Sequence, residues 1–159
     1  MKKLSIILGA SLIALAGCGG GTKSDNGATI LAQGNHSAVK DQSYQDIHDQ
    51  AAFEKLWKDA YANQSSPPAL PTVDFTKETV IALFLGEKAN SGFDVRVKSA
   101  APAENGKDYD VTFLVIVPGD HCARGGADKS TPFLIGTVPN AGGTVNFDTE
   151  TRHNPPCGN

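Results

Sequence analysis

The run TVIALFLGEKANSGFDVRVKS, residues 79–99, decides the fold class. Residues 79–86 are β-branched or apolar at odd and even positions alike, the pattern of a central strand buried on both faces. Residues 93–99 alternate instead. Phe93, Val95 and Val97 point one way and Asp94, Arg96 and Lys98 the other, as in a strand with one wet face. Asn90 and Gly92 punctuate the turn between them. Downstream, YDVTFLVIV (109–117) is a second long strand, and PFLIGTV (132–138) and GTVNFDT (143–149) complete the set. Upstream, residues 30–39 read as an edge strand and 44–49 as a short one. The one helix lies between: Asp49 is placed to cap it, and Phe53, Leu56, Trp57, Ala60 and Tyr61 recur at i, i+3, i+4, i+7 and i+8. Glu54 and Lys58 have the spacing of a supporting ion pair on its exposed side. Pro67, Pro68 and Pro71 forbid its continuation. Links of hairpin length imply antiparallel pairing. The expected fold is α+β: an antiparallel, sandwich-like β-sheet with one packed α-helix. The chain has no internal repeat.

The first residues carry a different kind of information. Lys2 and Lys3 precede an apolar run over residues 4–15, too short for a helix that spans a bilayer, which needs about 20 residues. A basic start, a short apolar core and small residues describe an export leader. Leu15-Ala16-Gly17-Cys18 resembles a bacterial lipobox, which implies cleavage before Cys18 and acylation of its thiol. Two or three acyl chains give a durable anchor, whereas one holds only marginally. GGGTKSDNGA (19–28) then reads as a flexible tether without core-forming residues. The expected organisation is a leader over 1–17, the lipidated cysteine and tether over 18–32, and the folded domain over 33–159. The implied location is the bacterial cell envelope, outside the cytoplasm and lipid-anchored; Gly19 after the cysteine fits the outer membrane in a Gram-negative cell.

Composition narrows the function. Cleavage leaves 142 of 159 residues, a single domain's worth, and loss of the two leader lysines takes the net charge from −3 to −5. A mildly acidic domain lacks the basic footprint of a nucleic-acid binder. Of three cysteines, Cys122 and Cys157 remain. In an oxidising compartment a bridge between them would close a loop of about 36 residues and contribute on the order of 3–4 kcal/mol. Free thiols and a zinc site are the alternatives. The latter would use His121, Cys122 and the His-x₃-Cys spacing of His153 and Cys157. Adjacent ligands and two intervening prolines weigh against it, so no metal and no other cofactor is expected.

The order of parts resembles the C-terminal domain of the protease complex subunit PrcB family. The shared features are FEKLW (53–57), a proline-rich loop, VDFTKETVIALFLGEKANSGFDVRV (73–97), a strand ending in Pro-Gly with a cysteine, and TPFLIGTVP (131–139). The likeness runs from Asp49 to Phe147. Asn90-Ser91-Gly92-Phe93 stands where the family has a Thr-Gly-Gly-Tyr-like turn. The resemblance implies a non-catalytic lipoprotein partner of a secreted serine-protease complex, aiding its assembly or stability.

Two loops are candidates for contact with a protein partner: the turn with Asn90, Ser91, Gly92 and Phe93, and the fourteen residues 118–131 with His121 and Arg124. A glycine-bearing turn above Phe93 also fits a second use, insertion into a protease cleft as an inhibitor. Ser91 lacks the Gly-x-Ser-x-Gly setting of a nucleophile. Asp74, before a strand and near Thr76, reads as a turn cap rather than a catalytic acid. The expectation is therefore a binding protein and not an enzyme.

Overall fold

A computed structural model describes residues 22–23, 26–119, 128–140 and 142–156. It contains strands β1 (Thr22–Lys23), β2 (Thr29–Gly34) and β3 (Gln42–Ile47), helix α1 (Gln50–Ala60), and strands β4 (Glu78–Leu85), β5 (Asp94–Pro102), β6 (Tyr109–Val117), β7 (Phe133–Pro139) and β8 (Val145–His153). The strands form two sheets, one ordered β1-β2-β7-β4-β3 and the other β5-β6-β8. With α1 on the far side of the larger sheet, the molecule is an α+β sandwich of three layers.

The uninterrupted apolar run of β4 follows from its position in the middle layer. Ile81, Leu83 and Leu85 face the smaller sheet, where they meet Val95, Val97, Val111, Phe113 and Val115. Val80, Ala82 and Phe84 face the helix, where they meet Phe53, Leu56, Trp57, Ala60 and Tyr61. Strand β7 does the same, with Leu134 and Val138 on one side and Phe133 and Ile135 on the other. The alternation of β5 belongs to an outer layer, with Val95 and Val97 buried and Arg96 and Lys98 exposed.

Helix α1 starts at Asp49, whose side chain accepts from the Ala52 N–H at 2.8 Å. Its exposed pair is Lys55–Asp59 at 2.6 Å rather than the expected Glu54–Lys58, because the Glu54 carboxylate accepts from the Gln50 amide at 3.0 Å instead. The Trp57 indole donates to the Pro68 carbonyl at 3.0 Å, which folds the proline segment back over the helix.

Two topological expectations are corrected. The short link after β4 does not close a hairpin: β4 pairs with β3 and β7, and β5 pairs with β6 in the other sheet. Nor is pairing uniformly antiparallel, since β6 and β8 are parallel with Tyr109 opposite Val145 and Val117 opposite His153. Burial decides the first. The doubly apolar β4 belongs in the middle layer, the amphipathic β5 in an outer one, and a turn that joins them must change layers. The folded part also starts before residue 33. Residues 29–32 lie in β2, Ala28 is buried in the inter-sheet core, and the Asn26 amide donates to the Val97 carbonyl at 2.7 Å. A small side chain suits a tight site that a large apolar one could not enter.

Candidate functional site

Strands β2, β4, β6, β7 and β8 bring five connecting segments to one pole: residues 35–41, 86–93, 117–119, 128–131 and 154–156. Each follows or precedes a strand end, so the sheets fix where it begins. Among the described residues this is where the turn from 86 and the ends of the long loop meet. Lys88 and Ser130 form an isolated antiparallel bridge, with N–H to carbonyl distances of 2.7 and 3.1 Å. The Ser130 hydroxyl donates to the Asn90 carbonyl at 2.7 Å, and Lys129 pairs with Glu87. The Lys129 ammonium, first by hydrogen bonding, holds the Glu87 carboxyl below the usual range. On the other side, Thr131 donates its hydroxyl to the Ser37 carbonyl at 2.6 Å and its N–H to the Asn35 carbonyl at 2.8 Å. Ser37 and Ser130 are buried polar residues that tie the loops together.

This network braces the turn proposed for partner contact. Asn90 and Gly92 are exposed and Ser91 is half-buried. Gly92 has φ +103°, and a Cβ there would crowd Pro118 at 3.1 Å, so both its conformation and its neighbour favour glycine. Phe93 packs against the inter-sheet core with the Lys88 ammonium 6.0 Å from its ring, which makes it the turn's anchor. His121 and Arg124 lie outside the described residues, as do Cys18, Cys122 and Cys157. The flanks of the two C-terminal cysteines do meet: the Asn154 N–H donates to the Val117 carbonyl at 3.0 Å, and a Cβ on Gly119 would overlap the Pro155 carbonyl.

Other sequence candidates sit elsewhere. Asp74 accepts from the Thr76 N–H at 3.1 Å and the Thr76 hydroxyl at 2.5 Å and pairs with Lys77 at 2.8 Å, closing the turn that enters β4. Among the described residues no group of three or more His, Cys, Asp or Glu side chains could hold a metal ion. A groove of about 490 Å³ lies between α1 and the proline segment, lined chiefly by Trp57, Tyr61, Pro67, Pro68 and Leu70. Sequence reasoning missed Ser37, Glu87, Ser130 and Thr131 as the braces. Their bonds join residues 40 to 94 positions apart, and no local pattern announces them.

No family model matches the chain, and neither the curated proteins nor the solved structures contain a match.

Proposed function

We propose that this chain is an envelope lipoprotein, anchored through acylated Cys18, whose domain is a non-catalytic docking module for another exported protein. The observation that carries the reading is the braced turn: Asn90 and Gly92 are exposed, while the Lys88–Ser130 bridge and the Ser130 hydroxyl hold its backbone in place. Exposed turn residues held by buried bonds limit the ordering cost on binding. The resemblance to the PrcB family supports a partner of the secreted-protease kind, whose assembly or stability this protein would assist. Recovery of the tagged chain from gently solubilised membranes tests this: a stoichiometric partner is expected, and its repeated absence would sink the reading. Incorporation of labelled palmitate, abolished by Cys18→Ala, tests the anchor separately.

A second reading is favoured by the bond from Ser130 to the Asn90 carbonyl, which stiffens the turn as insertion into a cleft would require. Protease inhibition at near-equimolar ratio would select this reading over assistance.

A further inference from the structure

Strand β8 ends the smaller sheet, and no other described strand pairs with its outer edge. The direction of its backbone groups follows from two bonds. The Asn154 N–H donates to the Val117 carbonyl, and the Thr144 carbonyl accepts from the Tyr109 N–H, both at 3.0 Å. Even-numbered residues therefore face β6, and Phe147, Thr149, Thr151 and His153 turn their N–H and C=O groups outward. The Thr149 N–H is met by the Asp148 carboxylate at 2.7 Å, a local substitute for a strand partner. Edges this long are normally blunted by a bulge, a proline, charged side chains or a cover. This one has nine residues with neither bulge nor proline, only the charges Asp148, Glu150 and Arg152.

Those charges are self-complementary. We propose that two copies of this chain pair antiparallel along β8, about a two-fold axis at Glu150. Asp148 then lies opposite Arg152 of the second copy, twice by symmetry. Thr149 lies opposite Thr151, and Phe147 opposite His153. The odd-numbered pairs exchange backbone bonds, and the charged pairs fall at the closer, non-hydrogen-bonded positions. Arg152 has no ion-pair partner among the described residues. Glu150, which meets its own copy on the axis, is already neutralised by Lys98 across the sheet. A two-residue shift toward the strand start sets Asp148 against Glu150, and a one-residue slip pairs inner with outer faces. Tyr44 adds an independent sign. It is the one large hydrophobic residue exposed among those described, at 37 %, and it stacks on Phe147 at 5.7 Å beside this same edge.

Sedimentation of the full chain in density-matched detergent tests the pairing. The wild type is expected at the mass of two chains. R152D sets a second carboxylate against Asp148 and is expected at half that mass. T151P removes only an outward N–H and is also expected at half. The charge swap D148R/R152D restores the pair and the two-chain mass. Positions 148, 151 and 152 are exposed, so every variant should still unfold in a single cooperative transition, the one-chain forms without the concentration dependence of a dimer. A one-chain wild type, a two-chain R152D or T151P, or a swap that stays at one chain while folded would each overturn the proposal.

Discussion

The Asp74 carboxylate gathers the Lys77 ammonium, the Thr76 hydroxyl and the Thr76 N–H, and these hold its pKa down to about 2. A depressed pKa favours the folded state only while the group is ionised there. Its contribution is complete above the ordinary carboxylate range and disappears as pH falls toward about 2. D74N should therefore melt below the wild type at neutral pH, with the gap closing between about pH 4 and pH 2. A gap independent of pH would mean that the charge plays no part. Deeper in the molecule, Phe53 is fully buried between the rings of Trp57 and Phe75, with centroids at 5.8 and 6.2 Å. F53A should lose about 3–5 kcal/mol in denaturant unfolding. D49A, which removes only the N-cap, should lose about 1 kcal/mol.

Between elements, the parallel pairing of β6 with β8 brings residues 117–119 beside residues 153–155. Val117 and His153 are register partners, so both chains leave the sheet on the same side, and residues 119 and 155 touch. From there Cys122 is three residues on and Cys157 two, within reach of about 10 and 7 Å of extended chain. The bridge expected from the sequence is a proposal that thiol counting tests. The unreduced protein should lack two free thiols in a quantitative alkylation assay, and C122S should lose about 3–4 kcal/mol. Full alkylation without reductant would refute the bridge. At the other pole, the Asp108 side chain accepts from the Asn105 amide at 2.6 Å and the Thr144 N–H at 2.9 Å. It ties the β5–β6 turn to the entry of β8, so both ends of β8 are fixed.

The whole molecule has two distinct sides and two distinct poles. Asn26 and Gln33 close one side by donating to the Val97 and Val95 carbonyls at 2.7 and 2.8 Å. On the opposite side Tyr44 crosses between the sheets, stacked on Phe147 and sharing a hydrogen bond of 2.7 Å with the Thr149 hydroxyl. That open side suits a second copy, and the loop pole suits a partner. The two uses are separable. A89E together with N90R should abolish partner recovery while leaving sedimentation and melting unchanged, since both side chains are exposed and neither belongs to the braces. Loss of recovery accompanied by a lower melting temperature would count against direct contact.

Local states were legible in the residues alone. The position and cap of α1, the doubly buried character of β4, the alternation of β5 and the length of β6 all follow from periodicity and capping chemistry within windows of a dozen residues. Packing of the entire chain settled the rest: which sheet each strand joins, that β8 runs parallel to β6, that the chain packs from Asn26 onward, and that the turn at Asn90 is held by Ser130. These outcomes depend on burying three layers at once and on bonds between residues 40 or more positions apart. A strand's own pattern states how many of its faces must be covered. Which neighbour covers them is fixed only when every apolar face in the chain competes for the same interior.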